Sequence, residues 1–280
     1  MIFALVLMTG CGGSQGGDDK KAPDKNADKV KLGMITRLNA SEENFGEFMK
    51  KLEDTLNVKI ASHTPVFFDN LNQMQMALQS GQIQEISTYR SVARYMIAKD
   101  PHFEVLKDHS LEFIDSFCFA LREDETELKD SLNMVIKEMQ EDGTLDRLTK
   151  EYITDIKADN EPPVVEMPHF DSAPTIKVAV TGDLPPLDYV SADGKPAGFN
   201  TAVLAEIGNR MLRNIELVDI DSGARAAALE SNKVDVVFWA IVPISEIIPS
   251  DSDKPAGVVL TEPYFKDKIV HLTYKADEKK

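Results

Sequence analysis

The chain has 280 residues, 42% of them hydrophobic, enough for one large domain or for two lobes of ordinary size, each with its own core. Its 47 acidic residues against 31 basic ones leave a formal charge of −16, and no run of Lys or Arg interrupts that balance. Nucleic acid and anionic membrane surfaces repel such a chain, so the charge speaks against both as partners.

The chain opens on "IFALVLMTGC", a short apolar run that ends in small residues and Cys11. It is too short to span a bilayer as a helix but has the length of a signal-peptide core. Met8-Thr9-Gly10-Cys11 resembles a bacterial lipobox, in which cleavage before the cysteine frees its thiol to carry lipid; the absence of Lys or Arg ahead of the run departs from that pattern. Residues 1–10 are therefore expected to be a lipoprotein signal peptide. Residues 11–29, rich in Gly, Asp and Lys, are expected to be a flexible tether. A lipid on Cys11 places the rest on the extracellular face of the cell membrane.

"KLGMIT" then reads as a strand and "SEENFGEFMKKLEDTL" as an amphipathic helix, with Ser41 as its cap and Phe45, Phe48, Met49 and Leu52 at helical spacing. "VKIASH" is a second strand and "NLNQMQMALQS" a helix stopped by Gly81. "IQEIST" is a third strand and "SVARYMIAKD" a further helix, which together make an α/β unit with parallel strands. "FCFALRED" is a strand. "ELKDSLNMVIKEMQEDG" is a helix ended by Gly143, after which Thr144 is expected to cap another. Residues 154–175 hold four prolines and little periodicity, and read as a linker. "TIKVAVT", "NTAVLAEIGNRML", "IELVDI", "SGARAAALES" and "VDVVFWA" then repeat the alternation of strand and helix. "ALQSGQIQEI" at 77–86 returns as "ALESNKVDVV" at 228–237. The phrase is a helix end, its cap and the next strand, once in each of two lobes; a separation of 151 residues is too long for a solenoid repeat.

Cys118 lies in an apolar run and reads as a buried small hydrophobe. His63, His102, His109, His169 and His271 are scattered, with no Cys/His cluster at metal-ligand spacing. No metal, no cofactor and no catalytic residue is expected.

From residue 31 to 275 the segments resemble those of the extracellular solute-binding proteins of amino-acid-type ABC importers. "VAVTGDLPPLDYVSADGKPAGFNTAVLAEI", "ALESNKVDVV" and "TEPYF" resemble that family's first lobe. "KLGMITRLNASEENF" through "GQIQEISTYRSVARYMIAKDPHFEVL" resembles its second lobe, and "NMVIKEMQEDGTLDRLTKEYI" its C-terminal helices. The resemblance implies a bilobed α/β fold of periplasmic-binding-protein type with its lobes in circularly permuted order. Residues 30–116 form the first lobe (the family's second), 117–153 a hinge strand with helices packing on the other lobe, and 154–175 the linker. Residues 176–268 form the second lobe, and 269–280 a hinge strand and tail. The hinge strands are expected at Phe117–Leu121 and Ile269–Thr273. A linker able to reach roughly 70 Å, at about 3.3 Å per residue, permits a monomer; a lobe-swapped dimer is the alternative.

In open α/β sheets ligands lie beyond the carboxyl ends of the strands. That rule and the resemblance together put ligand contacts at Arg37, Asn39, Thr88, Tyr89 and Arg90 in the first lobe, in loops that also hold Thr36 and Leu38. In the second they fall at Asp183, Leu187, Tyr189, Trp239 and Ala240, beside Asp188 and Ile241. The family's carboxylate-gripping arginine falls at Ile247, its amino-group aspartate at Tyr89, and its Gly-Thr-Thr loop at Arg37-Leu38-Asn39, so the usual amino-acid clamp is absent. The implied function is capture of a small polar solute for an ABC permease. A dehydratase or lyase using Asp183 or Asp188, or a sensor without transport, is the alternative on the same scaffold.

Overall fold

In the computed structural model the described residues are 30–35, 50, 54, 63–106, 114–156, 163–243 and 255–275, with the side chains of 238–243 excepted. The signal peptide, Cys11, the tether, the loop 36–39 and the segment around Ile247 lie outside them.

The first lobe holds β1 (Val30–Ile35), β2 (His63–Phe68), α1 (Leu71–Gln79), β3 (Glu85–Tyr89), α2 (Arg90–Lys99) and β4 (Phe103–Val105). β2 and β3 flank β1, both parallel to it. Of the strand expected at "VKIASH" only His63 is among the described residues; there β2 begins and runs through the β-branched and aromatic stretch to Phe68. α1 buries Leu71, Met74, Ala77 and Leu78, the i, i+3, i+6, i+7 stripe of an amphipathic helix.

The middle of the chain gives β5 (Ile114–Arg122), α3 (Thr126–Glu141) and α4 (Thr144–Thr149), which runs on as a π-helical turn over Lys150–Thr154. Thr144 is not the cap. Gly143, at φ 78, holds that position and Thr144 is the first helical residue, its N–H donating to Asp142 Oδ1 at 2.9 Å. α3 buries Leu132, Val135, Ile136 and Met139, each contributing roughly 1.5–3 kcal/mol.

The second lobe holds β6 (Thr175–Val180), β7 (Asp183–Leu184), β8 (Asp188–Val190), β9 (Pro196–Ala197), α5 (Phe199–Met211), β10 (Asn214–Asp219), a 3₁₀ turn at Ser222–Ala224, α6 (Arg225–Glu230), β11 (Val236–Pro243) and β12 (Val258–Leu260). Arg210 on α5 ties this lobe to the middle helices, reaching Asp142 at 2.8 Å and Thr144 Oγ1 at 2.9 Å. Residues 163–174 do not cross open space. Val165 is buried and its N–H donates to Pro196 O, Val164 bridges Ala197, and the Asn214 side chain grips Phe170 at both N and O.

β13 (Phe265–Tyr274) belongs to both lobes. Phe265–Lys268 pair antiparallel with β5, which lies wholly in the second lobe's sheet between β11 and β13; Ile269–Leu272 pair with β3, and Leu272–Tyr274 with β4, in the first. The result is one continuous path, β10-β6-β11-β5-β13-β3-β1-β2. Phe117–Leu121 thus sits inside one sheet, and the observed crossing is at Lys268–Ile269. The other passage between the lobes includes 107–113, outside the described residues.

Candidate functional site

Where the two sheets meet, the carboxyl ends of their strands face one another across a seam. On the second lobe, "DLPPLDY" makes a tight turn from β7 to β8, with a cis peptide between Pro185 and Pro186. It is held from behind by α5, whose first N–H groups donate to it: Phe199 N to Pro186 O at 2.9 Å and Asn200 N to Leu187 O at 2.7 Å. Only glycine permits this approach at Gly198, since φ is +102 and a Cβ would stand 2.6 Å from Leu187 O.

Two carboxylates emerge from this turn. Asp188 is buried; its Oδ2 accepts from Gly182 N, Thr181 N and Thr181 Oγ1, while Oδ1 has no hydrogen bond. Burial pushes its carboxyl up to about 7, and the Asp183 charge adds to the effect. Asp183 reaches the other lobe: Asn72 N, in the first turn of α1, donates to its Oδ2 at 3.1 Å. Burial also raises Asp183, against the hydrogen bonds from Asn72 and Leu71 that favour its ionised form. Beside it Ser222 N donates to Asp69 O at 3.1 Å, a second bond across the seam. Arg225 is fully buried behind Ser222, its Nε donating to Ser222 O at 3.3 Å.

The hinge side repeats the theme. α2 has no side-chain cap of its own. Asp267, on the second-lobe half of β13, accepts from Ser91 N at 3.0 Å and supplies one; burial raises its carboxyl. Two helices of the first lobe thus end on carboxylates of the second lobe's strands, where the partial positive charge of a helix N-terminus favours them.

The residues expected from sequence separate into groups. Asp183 stands at the seam. Tyr189 is half-buried on β8, paired with Asp183 and Ala197. Thr88 and Tyr89 are buried at the end of β3, Tyr89 with its hydroxyl 3.5 Å from Asp115 and its ring edge-on to Phe117, so its side chain packs the hinge. Arg90 opens α2 and is exposed. Leu187 is a correction: its side chain is wholly buried in the main core and offers the seam no surface. Arg37 and Asn39 lie outside the described residues. Trp239 does not end its strand, because β11 runs on to Pro243 against β5. An extra residue between Val237 and Ala240 makes a bulge at that point, and Ala240 pairs with Cys118. Asp267, Asn72, Ser222 and Arg225 were not expected. For Asp267, Asn72 and Ser222 the signal is three-dimensional, since donor and acceptor come from different lobes; Arg225 was missed although its bond to Ser222 O is local.

One hollow of about 310 Å³ lies between β6, β10 and the β8–β9 hairpin, lined by Val180, Asp188, Tyr189, Thr201, Leu217 and Asp219 among others. Among the described residues no first-lobe residue lines it, which sets it apart from the seam contacts.

Two α/β lobes that share one strand and meet along strand ends make the plan of a hinged, bilobed binding protein of periplasmic type. Residues 176–278 match the family of bacterial extracellular solute-binding proteins, family 3. No curated protein matches the chain. Among solved structures it is similar to a ligand-binding component of an ABC-type import system from Staphylococcus aureus with zinc bound (11% identity, 88% of this chain and 65% of that one, TM-score 0.40). It is similar also to full-length CbnR complexed with its target DNA (10%, 89% and 65%, TM-score 0.41). A third is a nutrient-binding protein from Burkholderia cenocepacia bound to methionine (10%, 88% and 84%, TM-score 0.38). The chain thus spans 65% of the length of the first two. Likeness at this level says nothing of what this chain binds. Among the described residues no helix is long and apolar enough to cross a membrane.

Proposed function

We propose that the chain is a solute-binding protein, lipid-anchored through Cys11 on the outer face of the cell membrane, that captures a small amino-acid-like solute and delivers it to an ABC permease. It acts as a monomer, with the family's lobes in permuted order. The family match begins at β6, more than halfway along the chain, which supports the permutation. The bonds between lobes within one chain support the monomer.

The observation that carries the reading is Asp183 hydrogen-bonded to the first turn of α1 across the seam. The carboxylate occupies the place that a ligand carboxylate would take in the absence of the family's arginine. A zwitterionic solute entering an opened seam exchanges with it: its carboxylate accepts from the N–H groups of Leu71 and Asn72, and Asp183 turns to its ammonium group. Lobe closure then removes water from both contacts, which strengthens them. Trp239, in the bulge of β11, is the reporter, being the one tryptophan of the chain.

The test is a thermal-shift screen of amino acids, amines and small carboxylates, followed by tryptophan fluorescence with each hit. Amino acids are expected to raise Tm and change the fluorescence, and Asp183→Asn to abolish both. A shift by carboxylates alone, undiminished in Asp183→Asn, overturns the exchange; no shift by any class overturns solute capture. Cys11→Ala is expected to leave the membrane fraction, and its retention there overturns the anchor.

A further inference from the structure

Three polar side chains meet on the first lobe's sheet, away from the seam. His63 begins β2, Glu85 begins β3, and His271 lies in the first-lobe half of β13. They are 22 and 186 residues apart in sequence from Glu85 to each histidine, and β1 and the strand pairings bring them together. Val30 pairs with His63, Leu32 with Glu85, and Ser87 with His271. Side chains alternate along a strand, so these pairings put all three on one face. The opposite face carries Gly33 and Ile86 against Met74 of α1.

The geometry converges on a point. His63 Nε2 and His271 Nδ1 each lie 3.2 Å from the same oxygen, Glu85 Oε2, and all three ligand atoms are within 4.8 Å of one another. The two rings meet edge to face, at 87° with centroids 5.5 Å apart, and each still turns one nitrogen to the carboxylate. The three side chains are only 10%, 15% and 17% exposed, so little freedom remains to be lost on coordination. Ligand atoms of a tetrahedral ion with bonds near 2.0–2.1 Å stand about 3.3 Å apart.

We propose that His63, Glu85 and His271 form a binding site for a divalent first-row transition metal, with zinc as the preferred ion. Two imidazoles and one carboxylate suit borderline ions over Mg²⁺ or Ca²⁺, and three protein ligands leave a fourth position for water. Each ring binds through the nitrogen that faces Glu85 and carries its proton on the other. The carboxylate cancels one of the two charges of the ion, and a chain of net charge −16 favours the remainder. The ion joins β2, β3 and β13 across four strands. Its effect falls on the first lobe and on β13 two residues from Ile269, where that strand leaves the other sheet.

Chelator-treated full chain is titrated with Zn²⁺ against a competing dye, with Tm read in parallel. Expected are one zinc per chain, a higher Tm, and slower amide exchange in β2, β3 and β13. His63→Gln and His271→Gln are each expected to weaken zinc by more than about 100-fold, beyond the loss typical of outer-shell partners. Unchanged affinity in the double variant, or no zinc bound by the native chain, overturns the site. Should either variant fail to fold, X-ray absorption of the zinc-loaded native chain decides. Two imidazole scatterers support the site; a sulfur scatterer, which neither histidine nor glutamate can supply, or fewer than two imidazoles, overturns it.

Discussion

The two copies of the Ala-Leu-polar-Ser phrase fold alike almost bond for bond. At 77–83, Ser80 N donates to Met76 O, Gly81 N to Leu78 O, and Gln82 N and Ile83 N to Ala77 O. At 228–234, Ser231 N donates to Ala227 O, Asn232 N to Leu229 O, and Lys233 N and Val234 N to Ala228 O. Gly81 and Asn232 both take the left-handed conformation, at φ 77 and 58, and Ile83 and Val234 are both buried where the chain turns into its strand. The copies diverge after the first residues of those strands. β3 ends at Tyr89 and turns straight into α2, offering bare helical N–H groups; β11 bulges at Trp239 and continues. One scaffold therefore carries two kinds of polar edge. At Asp183 and Asp267 the first lobe presents helical N–H donors and the second presents carboxylates, while Ser222 N to Asp69 O runs the other way across the same seam.

The comparison breaks hardest at Gly198. Gly198→Val forces a side chain to φ +102 against the backbone of the Pro-Pro turn, so a loss of at least ~3 kcal/mol is expected in urea unfolding. Amide exchange should rise in β7, β8 and α5 before it rises in β1–β3; an equal rise in both lobes would mean that the second lobe's turn is not specially held.

Asp188 gives the next effect. Its folded carboxyl, at about 7, lies above the usual 3.8, so its contribution to stability is fully present below about pH 4 and is lost as pH rises through about 7. In Asp188→Asn the decline in Tm over that window should shrink to what Asp183 and Asp267 contribute, a difference of up to about 4 kcal/mol at pH 8 for a carboxyl raised from 3.8 to about 7. A parallel decline in both proteins assigns the pH dependence elsewhere.

Asp183→Ala removes the carboxylate from α1 and should shift the lobes toward opening by about 1.4 kcal/mol, or tenfold. A larger radius of gyration in solution scattering without solute is the sign; an unchanged radius would show that Ser222 and Asp267 hold the seam alone.

The two caps sharpen the comparison at the small end. Gly81→Ala meets no atom within 4 Å, so only the left-handed backbone resists it, at about 1 kcal/mol. Asn232→Gly should stabilise by about 0.5 kcal/mol. Effects of opposite sign in chemical denaturation would confirm that both turns depend on the same left-handed position.

Local order was legible because it is written locally. The stripe of α1, the glycine stop and the strand pattern of "TIKVAV" need no partner to be read. The repeated phrase pointed to two lobes through the same cap chemistry. Thr144 was misplaced because Gly143 competes for the cap through its backbone freedom rather than a side-chain acceptor. Leu187 was misread because a loop between strands suggests exposure, whereas the cis-Pro turn folds it under α5. The turn that carries Asp183 was legible from its prolines, but the partner of Asp183 on α1 was not, being 111 residues away. His63, Glu85 and His271 were invisible as a group because strand pairing, not spacing, assembles them.

The double allegiance of β13 has a consequence for how this protein can be divided. With Phe265–Lys268 woven into one sheet and Ile269–Tyr274 into the other, no single cut between 114 and 264 yields two complete parts. A fragment ending before β13 leaves β3 with an open flank and β4 without its only described partner; a fragment beginning at β5 carries a strand whose far half has nothing to lie on. Gene fusions, split reporters or exchanges with a homologous lobe must therefore carry the last strand along with the first hundred residues. The chain is inherited whole, however plainly its two halves echo each other.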